Sequence, residues 1–136
     1  MGNELTYDFG LPVTLVFGKA NPVANTTTAL TLANGGLGLK VPAGYKFHPM
    51  LLHGESNADL TAGVATFKVT ANTTVLSEGP VAVLGDTVQV HSGVQRPNAE
   101  PISAGAIVGV SVILDANVAP NTADVDAILV GVLMPG

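Results

Sequence analysis

The chain has no cysteine and no tryptophan, and of its 136 residues only 11% are charged and 4% aromatic. Without cysteine there are no disulfides, no thiolate metal ligands and no cysteine nucleophile. The scarcity of charge is as informative, since a typical globular protein is about 25% charged while this one is 47% hydrophobic. Its exterior must be made of Thr, Asn, Ser, Gly and Ala, or be covered by other subunits. With so few aromatics the core has to be built from Val, Leu, Ile and Ala, and of the usual Trp and Tyr platforms for a sugar only Tyr7 and Tyr45 are available. Lys19, Lys40, Lys46, Lys68 and Arg96 are the only basic residues, scattered through a chain of net charge −5. No cluster of them can neutralise a run of phosphates, so nucleic acid is not an expected partner.

Long apolar runs are missing too. The longest, Ala104 to Leu114, is about half of the ~20 residues a membrane span needs, so no membrane partner is expected. The opening Met-Gly-Asn-Glu-Leu-Thr has neither the basic nor the apolar stretch of a signal peptide. Synthesis and folding in a cytoplasm are the expectation. Met1-Gly2 with Thr6 nominally fits a myristoylation pattern, but no polybasic segment accompanies it.

What is present is strand alternation punctuated by turns. Ala65, Phe67, Val69 and Ala71 alternate with Thr66, Lys68 and Thr70, the period-two pattern of a half-buried strand. The entry to this strand, Leu60-Thr61-Ala62-Gly63, recurs as Val41-Pro42-Ala43-Gly44 and as Ile102-Ser103-Ala104-Gly105. Proline or a small hydroxyl residue in second place and glycine in fourth predict a type I turn at each corner. Asn34-Gly35-Gly36 predicts a hairpin, with Leu37 to Val41 as its return strand.

Tyr45 to Glu55 reads as a long strand with Pro49 inside it, which predicts a bulge or an exposed edge there. Asn72-Thr73-Thr74 is a turn into Val75-Leu76, and Ser77-Glu78-Gly79-Pro80 ends that piece. Val81 to Leu84 and Thr87 to His91 read as short strands, and Ser92 to Pro101 as a long loop. Ile107 to Leu114, except for Ser111, and Ile128 to Met134 are apolar on both faces, so each needs cover on two sides. The reading is an all-β protein of eight to ten strands, an antiparallel jelly-roll-like β-sandwich. Residues 28–136 form that domain, and residues 1–27, broken by Pro12 and Pro22, form an N-terminal arm or edge strand. Phe67, Val69, Val88, Val90, Val110, Val112 and Leu129 are assigned to the interior by alternation.

No catalytic grouping is evident. His53 and Glu55 share a strand face, and His91 is a possible third metal ligand from elsewhere, but zinc-site spacing is lacking. His48 and His53 face opposite ways unless a bulge at Pro49 intervenes. Asp115, Asp124 and Asp126 form an acidic group at one end, more simply read as a solvated rim than as a cation site. Gly18-Lys19 and His91-Ser92-Gly93 complete neither a phosphate loop nor a nucleophile elbow. No enzyme activity, cofactor or metal is expected.

Val41 to Phe47, Leu60 to Thr70, Ile102 to Gly105 and Ala119 to Val125 resemble the turn-and-strand motifs of small jelly-roll proteins in tailed bacteriophage virions, in particular head decoration, or cement, proteins. The resemblance implies a homotrimer, made in the host cytoplasm, that sits on the outside of the assembled head and stabilises the lattice of the major capsid protein. The expected oligomer or capsid interface uses Leu11, Val13, Leu15 and Phe17 of the N-terminal segment and Ile128, Val130, Val132 and Met134 of the last strand. The alternative is a phage tail or fibre-tip jelly-roll module that binds a receptor or carbohydrate.

Overall fold

The computed structural model describes residues 10–20, 23, 25–58, 63–84, 89–95, 100–114 and 124–136. Every regular element among them is a strand. They are β1 (Leu11–Ala20), β2 (Thr28–Ala29), β3 (Thr31–Leu32), β4 (Leu39–Lys40), β5 (Tyr45–Ala58), β6 (Gly63–Ala71), β7 (Thr74–Leu84), β8 (Gln89–Gln95), β9 (Ile102–Ser103), β10 (Ile107–Leu114) and β11 (Asp124–Pro135). Two antiparallel sheets result. The first, sheet A, has the order β3-β1-β11-β5-β8 with β9 also on β5, and the second, sheet B, has the order β2-β10-β6-β7 with β4 also on β10. The fold is therefore an all-β, two-sheet sandwich.

Alternation explains what lies between the sheets. Ala65, Phe67 and Val69 of β6, Val108, Val110, Val112 and Leu114 of β10, and Val125, Ala127, Leu129 and Leu133 of β11 are all buried. Each large side chain in that layer contributes on the order of 1.5 to 3 kcal/mol. Phe67, Val69, Val110, Val112 and Leu129 thus occupy the interior positions that alternation assigns them, while the side chains of Val88 and Val90 lie outside the described residues. The sheets pack closely where β5 crosses β6: the Cα of Gly54 faces the ring of Phe67, leaving no space for a β-carbon.

The segment expected to be an arm or edge strand is, over Leu11–Ala20, a strand of the sandwich itself. β1 pairs with β11 along its whole length, Leu11 opposite Leu133 through Ala20 opposite Asp124. Its other edge is covered by β3 only at Phe17 and Gly18, so β1 lies almost at the margin of sheet A. The first nine residues lie outside the described residues.

Pro49 is accommodated by a bulge. The β5–β11 register shifts between Val130 and Gly131, which face Leu51 and Pro49, leaving Met50 as the extra residue. On its other side β5 pairs with β9 at Lys46 and Phe47 and with β8 from Leu52 onward. Residues 48–51 thus lie at a break between partners, where a missing N–H is tolerated.

Four expectations are corrected. At the corners, Tyr45 N–H donates to Pro42 O at 3.2 Å and Ala106 N–H to Ser103 O at 3.3 Å. That puts Gly44 (φ +82°) and Gly105 (φ +89°) in third place, the type II arrangement rather than type I. The corner at Leu60 to Ala62 lies outside the described residues.

Asn34-Gly35-Gly36 does make a tight turn, closed by Leu32 N–H to Gly36 O at 2.8 Å. Its flanks, however, join different sheets: β3 pairs β1, whereas β4 pairs β10. The buried Leu30, whose N–H donates to Val110 O at 2.9 Å, marks the crossing from β2 in sheet B to β3 in sheet A. Finally, Ser77 to Pro80 does not end a strand, because β7 continues through it. Gly79 and Pro80 bulge opposite Phe67, between the pairs Lys68–Glu78 and Thr66–Val81, and β8 runs to Gln95 where a loop was expected.

Candidate functional site

The outer face of sheet A is assembled by the ladders on either side of β11. The inward residues of that strand, Ala127, Leu129, Gly131 and Leu133, are buried, and Ile128, Val130, Val132 and Met134 point outward and are half-buried. Cross-strand pairs share a face, so the register extends each outward residue into a row. Val132 lies between Pro12 and His48, Val130 between Thr14 and Leu51, and Ile128 between Val16 and His53. Val16 is 58% exposed, and Met50 and Leu51 40% each. Asp126, between Gly18 and Glu55, closes one end of this apolar field, and Met134, opposite Lys46, closes the other.

The expected interface residues divide between two environments. Ile128, Val130, Val132 and Met134 are on this outer face. Leu15 and Phe17 are buried in the core of the single chain, because the odd-numbered residues of β1 share the inward face with Leu129 and Ala127. They are already occupied within the chain, and Val13 packs against the same core. Leu11, at the strand end, is 38% exposed. The outward residues of β1 with apolar area to offer are Pro12 and Val16, and the β5 contribution is Met50 and Leu51. Sequence alternation alone could not supply the latter pair, since the bulge reverses the phase of β5 at that point.

The bulge also places His48 and His53 on one face. They stand opposite Val132 and Ile128, four residues apart on β11 and hence separated by roughly 13 Å of strand, too far to share a metal ion. His91 stands opposite Ser56 and Glu55 opposite Ser92. His91 is therefore one step out of phase with His53 and Glu55, and the three do not share a row. Asp126 stands opposite Glu55 and Asp124 opposite Asn57, while Asp115 lies outside the described residues. Among the described residues no three His, Asp or Glu side chains are grouped to hold a metal ion.

A second concave feature lies on the outer face of sheet B. β10 forms its floor, β2 one wall, and the β6–β7 hairpin the other, around a groove of about 420 Å³. The hairpin wall is fixed by Asn72, in the left-handed region at φ +56°. Its N–H donates to Ile107 O at 2.8 Å, and its Oδ1 accepts from Ile107 N–H at 3.0 Å.

Compared with known proteins, the chain matches no family model, and no curated protein is similar to it.

Proposed function

We propose that this chain is a non-catalytic structural subunit, a head decoration protein that self-associates and binds the outside of an assembled phage capsid. The observation that carries the reading is the outer face of sheet A. A monomer whose surface is short of charge presents there a field formed by Val16, Met50, Leu51, Ile128, Val130 and Val132. Apolar patches of this kind mark interaction surfaces. The resemblance of the turn-and-strand motifs to phage cement proteins supplies the rest: three-fold association and the major capsid protein lattice as partner. Reinforcement then needs only that the protein bind the assembled shell better than its free subunits, an effect multiplied over many copies.

Sedimentation at micromolar concentration should show a homo-oligomer, and Val130→Asp, which sets a carboxylate in the middle of the apolar rows, should leave a folded monomer. Phage heads saturated with the wild-type protein should rupture at a higher temperature than bare heads. A wild-type monomer, or an unchanged rupture temperature, would overturn the reading in favour of a receptor-binding module.

A further inference from the structure

We propose that the groove on the outer face of sheet B is a binding site for a small uncharged molecule with an aliphatic body and one hydrogen-bonding group, anchored by the hydroxyl of Ser111. This inference is independent of the self-association assigned to sheet A. Among the described residues Ser111 is the one buried polar side chain, 6% exposed, and its Oγ has no hydrogen-bond partner. A buried hydroxyl without a partner is costly, and native chains leave few of them. Its position explains how the cost could be recovered. Ser111 lies on the floor of the groove, on the outward side of β10, and its hydroxyl can turn between staggered positions to meet a ligand resting there.

The rest of the groove defines the ligand's other properties. Three of the exposed large aliphatic side chains of the chain, Leu37, Val75 and Ile107, converge on it, with exposures of 58%, 43% and 36%. None of its lining residues is charged or aromatic. At Gly109 the Leu37 main chain and Thr70 approach closely, since a β-carbon there would come within 2.8 Å of the Leu37 carbonyl oxygen and 3.2 Å of Thr70 Oγ1. The lining carries Thr27, Thr70, Asn72 and Thr73 besides Ser111, but its surface is mainly apolar, and an apolar cleft of this volume with a few placed polar groups is the usual form of a small-molecule site. A sugar, which needs many hydrogen bonds, is poorly matched to it. Lys68 stands beside Ser111 in the β6–β10 ladder and is not part of the lining.

The probe is 1-octanol, titrated into the intact chain and followed by backbone amide NMR. Saturable one-site binding is expected, with the largest shifts at Ile107, Gly109 and Ser111. Ser111→Ala should weaken it roughly five- to tenfold, the value of one hydrogen bond. Val75→Asp, at an exposed position on the rim, should abolish it. Circular dichroism of each variant checks that the fold is retained. Octanoate should bind more weakly than octanol; tighter binding would assign the groove to an anion drawn by Lys68 and overturn the uncharged reading. Non-saturating shifts, shifts centred on Val130 and Val132, unaltered affinity in Ser111→Ala, or stronger shifts with glucose would each overturn the proposal.

Discussion

Gly105 donates its backbone N–H to the carbonyl of Val41 at 2.9 Å, and the N–H of Val41 returns to Ala106 O at 2.9 Å. Two corners distant in sequence are thereby fastened back to back, with the buried Val41 between them. Each corner turns on a glycine with positive φ, and at both Gly44 and Gly105 the space for a β-carbon is empty. Any penalty for substitution is therefore conformational, not steric. Gly105→Ala should cost about 1 to 2 kcal/mol, and Gly105→Asn less, because asparagine visits the left-handed region more readily. Urea unfolding of the two variants compares them directly, and equal costs would show that the φ angle is not the cause.

At Gly54 the limit is space. A β-carbon there would run into the Phe67 ring across the sandwich, and overpacking of this kind typically costs about 1 to 3 kcal/mol. Gly54→Ala should destabilise by that amount, and Phe67→Leu should lose a further part of the core when made alone. The double variant should be more stable than the sum predicts, since the smaller side chain removes the clash. A double-mutant cycle with no coupling would refute the contact.

Asn72 has two roles, a left-handed turn residue and a side-chain acceptor for Ile107 N–H. Asn72→Gly keeps the first and loses the second, whereas Asn72→Ala loses both. The expected order of stability is wild type, Gly, Ala, with about 1 kcal/mol attached to the hydrogen bond. Thermal melts of the three proteins provide the measurement, and a glycine variant as stable as wild type would remove the Oδ1 contact from the account.

Facing along β6 gives a sharper contrast. Val69 is fully buried and Thr66 half-buried on the opposite side. Val69→Asp should prevent folding, since an unpaired buried charge is far more costly than the few kcal/mol that hold a domain together. Thr66→Asp should fold, as judged by the far-ultraviolet circular dichroism of a β protein.

How far these features can be read from sequence depends on whether they are local. The alternation of Ala65 to Ala71 and the bulge forced by Pro49 follow from single-strand chemistry, and both are found. The Asn34-Gly35-Gly36 turn is equally local, but which sheet its flanks join is not, and so the turn forms without the hairpin. Pro80 misleads for a related reason: a proline reads as a strand end, yet a bulge on β7, the last strand of sheet B, absorbs it. The candidate surfaces required register. Leu15 and Phe17 look like spare apolar residues until β1 is paired with β11, and only the ladder brings Val16, Leu51 and Val130 into one field. Ser111 is visible in sequence as the lone polar residue in an apolar strand, but its lack of a partner is not.

The pairing of β1 with β11 also bears on how the chain is made. Leu133 is synthesised 122 residues after its partner Leu11 (133 − 11). At roughly 5 to 20 residues per second, β1 waits about 6 to 24 s with one of its long edges and its inward leucine and phenylalanine uncovered. Such non-local closure makes folding slow, and during that interval the strand is open to the edges of other nascent copies. The interval of greatest aggregation hazard is thus set by sequence separation, and low temperature or slowed translation should lengthen it.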